Sequence, residues 1–315
     1  MDLRQLEYFL AVADELNFSR AARNAHVVQS ALSASVAKLE RELGVALFDR
    51  TRQQIRLTPA GEVFRDSALR VINTARQARD SIGDYRDQLS GTIEFGSIVS
   101  FGTLPVPRIL GEFHRAHPHV RIKMRLGQLA STSYLPSIVD GSLDLAFVTA
   151  PDQFPAKVEM RFLTAEPLLF VCRPEHRLAK RRSINLTELS GEDLLGFPAH
   201  FGLRRVVENA FASARVIPQT PYEITTDFHL AAEMVRHGLG SVFMPLSETG
   251  RFPDLKAVPV FPSIEWSIFL AWAKHERLRP ASARLAEMLL ESAGCDTEIL
   301  TRSTASEDAP AKPPG

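Results

Sequence analysis

Hydrophobic residues near the start of the chain recur every three or four positions, which is the spacing of amphipathic helices. Leu6, Leu10 and Ala13 form such a stripe and predict a first helix that ends near residue 15. After a polar break, Ser19 is the predicted N-cap of a short second helix that reaches about residue 26, because a serine oxygen can accept hydrogen bonds from the free N–H groups of a first turn. The alanines that follow Ser19 allow two short helices to cross closely.

A third helix is predicted from about Gln29 to Leu43, because Leu32, Val36 and Leu39 share one apolar face. The opposite face carries short side chains that let a helix approach base edges in a DNA major groove, where glutamine can pair with adenine. Taken alone, these residues also suit an ordinary solvent-exposed face. The candidate DNA-contacting residues in these two helices are Ser19, Arg20, Gln29, Ser30, Ser33, Ala34, Ser35 and Lys38.

Residues 47–58 read as two short strands around a polar and basic tip, which predicts a wing beside the helices. Arg50 and Arg52 in this hairpin are further candidates for DNA contact, at phosphates or in a narrow minor groove. The whole chain has 37 basic and 37 acidic residues, but residues 16–60 hold seven basic side chains and three acidic ones. A local basic excess of this kind is typical of a DNA-binding segment.

This segment resembles the DNA-binding domain of LysR-type transcriptional regulators along its whole length. The resemblance implies a winged helix-turn-helix over residues 1–58, with Gln29, Ser30 and Ser33 in the major groove and the wing arginines on the backbone. Two residues depart from the family's pattern, since Val28 stands in place of a capping Ser or Thr and Ala34 in place of a longer polar residue. The motifs that carry the resemblance are Ala21–Ala22, Gln29–Ser33, Leu39–Glu40, Leu43–Gly44, Leu47–Phe48, Arg50 and Leu57–Gly61.

One long helix is predicted over residues 59–90, with Pro59 in its first turn, where a missing N–H is harmless. Its apolar residues alternate in steps of four and three, which is the heptad seam of a coiled coil. A helix packed on its own domain is the alternative. The resemblance implies that this linker pairs two subunits, so that two recognition helices read two half-sites, as a dimer or a tetramer. The predicted dimerisation residues are Phe64, Ala68, Val71, Ala75, Ala78, Ile82, Tyr85 and Leu89.

From residue 91 onward, predicted strands and helices alternate with short connections, which favours a parallel α/β architecture. Their order and spacing resemble the periplasmic-binding-protein-like effector domain of the same family, in which two α/β lobes are joined by two crossings. The resemblance implies a first lobe over about 91–163 and 264–293 and a second lobe over 164–263. A disordered tail is expected over 294–315, which is rich in Ser, Thr, Asp, Lys and Pro.

Ligands of open α/β sheets lie beyond the carboxyl ends of the strands, where helix N-termini present free N–H groups. Ser and Thr hydroxyls there suit a carboxylate, while Phe101 and Phe201 suit an apolar or aromatic body. We therefore expect an anionic or aromatic effector between the lobes, although each hydroxyl by itself is equally compatible with a helix cap. The candidate effector-binding residues are Ser100, Phe101, Gly102, Thr103, Ser131, Thr132, Ser133, Thr149, His200, Phe201, Gly202 and Thr226.

Catalytic and cofactor motifs are absent from the sequence, which holds no HExxH, GxSxG, GxGxxG or Walker pattern. His114, His117 and His119 lie close together, but no acidic or cysteine partner is near, so we expect no metal. Cys172 and Cys295 lack CxxC spacing and are expected to be independent thiols. Because no apolar run reaches the length of a membrane span and the N-terminus lacks a leader pattern, we expect a cytoplasmic protein.

The expected function is a sequence-specific transcriptional regulator, not an enzyme, whose subunit arrangement changes when a small molecule binds. The resemblance implies contact with RNA polymerase, with activation and repression both open. The main alternative is a ligand-binding or transport protein whose N-terminal helices serve only assembly, and it predicts no salt-dependent affinity for DNA. An enzyme would require a constellation of catalytic groups in the cleft.

Overall fold

The computed structural model of the chain describes residues 1–50, 55–81, 88–98, 100–126, 134–149, 155–198, 201–224, 227–274 and 278–295. Its internal contacts divide the chain into two compact units. The first comprises Met1–Gln88 with Asp140–Ser142, and the second begins at Leu89.

The first unit is a helical domain with a two-stranded hairpin. Asp2 begins the first helix with a capping box, since its side chain accepts from the Gln5 N–H and the Gln5 side chain accepts from the Asp2 N–H, both at 2.8 Å. In chain order the elements are α1 (Leu3–Glu15), α2 (Phe18–Asn24), α3 (Gln29–Leu43), β1 (Phe48–Asp49), β2 (Arg56–Leu57) and α4 (Pro59–Ser81). The antiparallel pair β1–β2 is the predicted wing.

The cap of α2 differs from the prediction. Asn17, and not Ser19, caps this helix, because its Oδ1 accepts the Arg20 N–H at 3.0 Å. The earlier start places Phe18 inside the helix and buries its ring against Phe48, at 5.8 Å between ring centroids. Ser19 is an exposed residue of the first turn.

Aromatic packing forms the centre of this domain. Phe9 is fully buried and lies 5.3 Å from Phe48 and 5.1 Å from Phe64, between ring centroids. The predicted face of α3 is buried at Leu32, Val36 and Leu39, whereas Leu43 in its last turn is 37% exposed. Gly44 ends the helix at φ +71°, a left-handed conformation that favours glycine.

The linker helix α4 corrects the predicted dimer seam at its two ends. Phe64 and Ala68 face inward and pack on the domain core together with Ile72. Leu89 packs on the core of the second unit. These residues are occupied within the chain, because a heptad pattern does not distinguish a seam that meets a second helix from a face that packs on its own domain.

The second unit is an α/β domain with more elements than predicted. Its strands are β3 (Gly91–Ser97), β4 (Val120–Leu126), β5 (Leu145–Thr149), β6 (Val158–Cys172), β7 (Ile184–Asn185), β8 (Asp193–Gly196), β9 (Gln219–Glu223), β10 (Val242–Pro245), β11 (Lys256–Val258), β12 (Val260–Phe261) and β13 (Glu265–Ala273). Its helices are α5 (Val106–Ala116), α6 (Tyr134–Val139), α7 (Gly202–Ser213), α8 (Phe228–Arg236), α9 (Leu246–Thr249) and α10 (Pro280–Ser292), with a 3-10 turn at Leu186–Leu189.

The sheets explain how two lobes arise. Strands β4, β3 and β5 are parallel, as predicted, but β13 runs antiparallel to both β5 and β6, so the sheet is mixed. The first half of β6 pairs with β13, and its second half pairs with β10 and β11. A single fifteen-residue strand therefore passes from one group of strands to the other.

A buried ion pair joins the start of β5 to the last helix of the domain. Arg279, directly before α10, donates to Asp144, and Asp144 also accepts the Glu94 N–H at 2.8 Å. Burial raises the pKa of Asp144, and the positive charge of Arg279 works against that rise.

Candidate DNA-binding surface and effector cleft

The outer face of α3 presents the side chains that the sequence singled out. Gln29, Ser30, Ala34 and Lys38 are exposed, and Ser33 and Ser35 are half-buried at the edges of the face. Val28 at the N-cap position makes no side-chain cap bond, so the first turn is closed by backbone bonds to the Val28 carbonyl. The first N–H groups of α3 therefore have no side-chain acceptor at the cap and suit contact with a phosphate.

The helix α2 meets the start of α3 through side chains. Ser19 Oγ donates to Gln29 Oε1 at 2.9 Å, which links two of the predicted contact residues and orients the amide of Gln29. Arg20 is bound by Glu15, with 3.0 Å between Nε and Oε2, and by the Glu15 carbonyl. Two of the N–H groups of Arg20 thus already donate to Glu15.

Glu40 ties the wing to the recognition helix. Its Oε1 accepts the backbone N–H of Leu47 at 2.9 Å and that of Phe48 at 3.2 Å. Its Oε2 accepts Arg50 Nη2 at 2.8 Å, and the guanidinium of Arg50 lies 5.0 Å from the centroid of the Phe18 ring. One carboxylate thus sets the position of both the wing strand and its first arginine. Arg52, the second predicted wing arginine, lies outside the described residues.

The segment after the wing is built by two close contacts. Thr58 Oγ1 donates to the Ala46 carbonyl at 2.7 Å and accepts the Gly61 N–H at 3.0 Å, which caps α4. A Cβ on Gly61 would overlap the Leu47 carbonyl oxygen. Glycine is required there because the first turn of α4 lies directly on the backbone of Leu47, the residue before β1 of the wing.

In the second unit, the loop after β3 lies against the antiparallel pair β6–β13, near the point at which β6 passes from one group of strands to the other, and we call this pair the crossing strands. Gly102 adopts φ +61°, and a Cβ there would lie 3.1 Å from Glu166 Oε1 and 3.3 Å from Thr164 Cγ2. The Thr103 and Thr164 hydroxyls are 2.9 Å apart and share a hydrogen bond. Phe101 stacks on Phe147 at 5.4 Å between centroids.

Two further predicted hydroxyls lie deeper than expected. Ser100 is 2% exposed, and its Oγ accepts the Gly102 N–H at 3.4 Å. Thr149, at the end of β5, is 1% exposed. Both side chains are therefore buried inside the domain and do not lie at its surface.

The other lobe contributes the start of α7. Phe201 is 7% exposed and lies 5.1 Å from Phe197 and 6.2 Å from Trp266, between ring centroids. Trp266 is paired with Glu166 across β13 and β6. Phe201 and the Gly102 loop thus approach the same stretch of crossing strands. Helix α7 has no side-chain cap at Phe201, so its first N–H groups have no side-chain acceptor among the residues that the structure describes.

Sequence reasoning missed Glu166, the buried carboxylate at this crossing. It is 3% exposed and holds Ser247 twice, through the backbone N–H at 2.6 Å and the hydroxyl at 2.8 Å. The only signal for it was an acidic residue directly before the apolar run Pro167–Cys172. The remaining predicted effector residues, Ser131, Thr132, Ser133, His200 and Thr226, lie outside the described residues, as do Ile82 and Tyr85 of the predicted seam and residues 296–315 of the tail.

Comparison with known families decides the identity of both units. Residues 3–62 match the family model of the bacterial regulatory helix-turn-helix protein, lysR family. Residues 86–294 match that of the LysR substrate binding domain.

The chain belongs to the LysR family.

Relatives of this LysR-family chain are similar over almost their whole length. ShiR, a transcriptional regulator of Corynebacterium glutamicum, is 30% identical over 281 residues, which are 87% of this chain and 93% of the relative. GltC, a dual transcriptional regulator of Bacillus subtilis, is 29% identical over 296 residues, 92% of this chain and 97% of the relative. The family is one of DNA-binding transcriptional regulators with an effector-binding domain, and it is not a family of enzymes.

Solved structures of LysR-family proteins share the fold. A full-length single-residue variant of OxyR from Pseudomonas aeruginosa superposes with a TM-score of 0.68 at 26% identity, covering 94% of this chain and 96% of that one. CbnR in complex with its target DNA gives 0.65 at 22% identity, covering 93% and 99%, which supports the fold alone. The predicted fold, a winged helix-turn-helix followed by a linker helix and an α/β effector domain, is confirmed.

Some relatives of this LysR-family regulator are named hydrogen peroxide-inducible genes activators, which draws attention to its thiols. Cys172 is fully buried in β6, and burial raises its pKa to about 11. Since the thiolate is the reactive form, Cys172 has the environment of an inert core residue. Cys295 is half-buried, and its thiol donates to the Phe162 carbonyl at 3.1 Å.

Across the ranges that the structure describes, no helix is long and apolar enough to span a membrane. Over the same ranges, no three His, Cys, Asp or Glu side chains are grouped to hold a metal ion.

Proposed function

We propose that this LysR-type regulator reads its operator with the outer face of α3 and grips the DNA backbone with its wing. Gln29, Ser30 and Ser33 serve as the residues that face base edges, where amide and hydroxyl groups can pair. Arg50 and Arg52 serve as backbone contacts, which give affinity without sequence preference. The observation that carries this proposal is the Glu40 bridge, because it holds α3 and the wing as one surface.

The working form is proposed to be a homodimer or homotetramer held together by α4. One side of this helix remains exposed at Val63, Val71, Thr74 and Ala78, with the half-buried Ser67 between them. These positions are spaced eight, three and four residues apart, which suits a heptad seam. Two copies joined in this way carry two recognition helices to two half-sites. We further propose that the regulator acts in the cytoplasm and contacts RNA polymerase on the promoter.

The effector is proposed to bind where the Gly102 loop and the start of α7 approach the crossing strands. An aromatic or apolar body would lie between Phe101 and Phe201, and an anionic group would face the uncapped N-terminus of α7. The buried carboxylate of Glu166 disfavours a second negative charge on the opposite side, near Gly102. The indole N–H of Trp266 has no partner among the described residues, so a polar effector atom would satisfy it.

The DNA-binding proposal is tested by fluorescence anisotropy of the purified full-length chain, with fragments of the intergenic region upstream of its own gene and a salt series. The expected result is specific binding that weakens steeply as the salt concentration rises. Binding releases counterions from the DNA, and this release becomes less favourable at high salt. Gln29→Ala and Ser33→Ala are expected to relax specificity at single base positions, at about 1–3 kcal/mol each. Arg50→Ala is expected to weaken the affinity for all DNA sequences alike. It should also lower the slope of the logarithm of the binding constant against the logarithm of the salt concentration by about 1.

Arg251→Ala is the matched control, because it removes an exposed arginine of the second unit, away from α3, the wing and the exposed side of α4. If no fragment, nor any sequence from a genome-wide pull-down, binds more tightly than random DNA with cell extract present as an effector source, the proposed recognition surface is wrong.

A further inference from the structure

A cavity lies inside the second lobe, beneath α7. Its volume is about 360 Å³, and it is walled by α7, by β8 and by the segment that leads into β9, with Phe243 of β10 contributing to the lining. Binding sites for small molecules begin at about 300 Å³, so the cavity has the size of a compact ligand.

The lining is mainly apolar and has one polar corner. Val207 and Phe211 of α7 contribute apolar side chains to the lining, together with Leu195 of β8 and Phe197, which directly follows that strand. At the corner lies Arg204, whose Nε donates to Glu208 at 2.7 Å and whose Nη1 donates to Glu223 at 2.5 Å and to the Phe197 carbonyl at 3.0 Å. The structure describes no partner for the donors on Nη2 of Arg204.

These charges restrict the chemistry of an occupant. Arg204 already faces two carboxylates, so an additional anion at this corner would meet a net negative surrounding. A neutral acceptor such as a phenolic oxygen can still use the Nη2 donors. We propose that the cavity beneath α7 is a binding site for a compact, neutral aromatic molecule, separate from the site at the crossing strands.

A ligand in the cavity can affect the proposed effector site at the crossing strands through two packed aromatic residues. Phe197 lines the cavity and packs on Phe201, and Phe201 is the residue directly before α7. A ligand under α7 therefore acts on the same helix whose N-terminus is proposed to face the effector. This coupling rests on the proposed function of the crossing-strand site, whereas binding in the cavity does not.

Calorimetry on the full-length chain without DNA tests the site, with 1-naphthol as neutral probe and 1-naphthoate as its anionic counterpart. The expected result is saturable binding of 1-naphthol and weaker binding of 1-naphthoate. Val207→Phe fills the cavity from α7 and is expected to weaken 1-naphthol by about tenfold or more, which corresponds to about 1.4 kcal/mol. Val206→Phe, the same change on the neighbouring residue outside the lining, is expected to leave the affinity unchanged.

Ala212→Phe provides a second test at the exposed mouth of the cavity, where a larger side chain endangers folding less. Equal affinity in the wild type, Val207→Phe and Ala212→Phe, each with an unchanged melting temperature, would overturn the proposal. So would the absence of 1-naphthol binding up to its solubility. The proposal is also wrong if 1-naphthol does not bind and Val207→Phe lowers the molecular mass of the protein in sedimentation. In that case the cavity beneath α7 lies at an interface between copies of this chain. Because DNA affinity is measured separately, failure here leaves the operator-binding proposal intact.

Discussion

Glu40 and Arg50 join the recognition helix to the wing through a hydrogen bond of 2.8 Å between Oε2 and Nη2. The second oxygen of Glu40 accepts the Leu47 and Phe48 N–H groups, so the carboxylate satisfies backbone and side chain together. The side chain of Glu40 is only 15% exposed, which limits the access of water to replace these bonds.

Removal of this carboxylate is expected to damage DNA binding from a distance. Glu40→Ala leaves two backbone donors without their acceptor and should cost about 1–3 kcal/mol of folding stability. It also frees the wing, so affinity for DNA should fall although no contact residue is changed. Glu40→Gln keeps an acceptor for the N–H groups and should lose less. Thermal unfolding measures the loss of stability, and fluorescence anisotropy measures the loss of DNA affinity.

Glu42→Ala, on an exposed turn of the same helix, is the control. An equal loss of stability and DNA affinity in that variant would contradict a specific role for Glu40.

Gly61→Ala is expected to destabilise the N-terminal domain by about 1–3 kcal/mol, because the new methyl group would press on the Leu47 carbonyl and the Leu57 side chain. Urea unfolding followed by circular dichroism measures the change. Gly250→Ala offers a matched control, since no atom lies within 4 Å of a Cβ there and its φ of −62° suits alanine. Similar midpoints for the two variants would show that α4 can move away from the wing at little cost.

The two faces of α4 are expected to respond differently to charge. Val71 is 42% exposed and Ala68 is 1% exposed. Val71→Arg should convert the oligomer to a monomer with an intact fold, whereas Ala68→Arg should unfold the domain because it buries an unpaired charge. Sedimentation and circular dichroism separate these results. A Val71→Arg protein of unchanged mass would place the subunit interface elsewhere.

Cys172 is expected to be unreactive in the folded protein. With its pKa near 11, the thiolate fraction at pH 8 is small, and the side chain is fully buried. A disulfide reagent should therefore modify Cys172 only after unfolding, as followed by mass spectrometry of the peptides. DNA affinity is measured before and after peroxide treatment in the wild type and in Cys172→Ser. Peroxide should change the affinity of the two proteins by the same amount. Rapid native labelling of Cys172 would refute this assignment.

Asp254 gives the folded state a defined sensitivity to acid. Its hydrogen bond with Arg236, at 2.6 Å, lowers its pKa from 3.8 to about 2. Because the folded pKa lies below the unfolded one, its stabilising contribution is present above about pH 4 and is lost as the pH falls toward 2. The stability difference between the wild type and Asp254→Asn should therefore shrink from pH 5 to pH 3, by a small amount because the Asp254 side chain is half exposed and water screens the pair. A difference that is constant or grows over this range would show that the pair is not formed.

Local patterns in the sequence determined much of the DNA-binding unit. The apolar face of α3, the stop at Gly44 and the basic hairpin depend on neighbours within a few residues, so periodicity and turn chemistry describe them. The alternation of strands and helices after residue 91 likewise predicted an α/β domain, and the motifs from Gln29 to Gly61 indicated the family.

Only the tertiary structure decided which partner each surface meets. Periodicity marked one apolar seam on α4 and left open whether it met a second subunit or its own domain, but packing against Phe9 assigned Phe64 inward and left Val71 outside. Only the tertiary structure shows that β6 brings the Glu166 carboxylate close to Gly102 and Ser247, residues separated from it by 64 and 81 positions. The cavity beneath α7 has the same origin. Such contacts join residues far apart in the chain, and local hydrophobic pattern records that a face is buried but not what buries it.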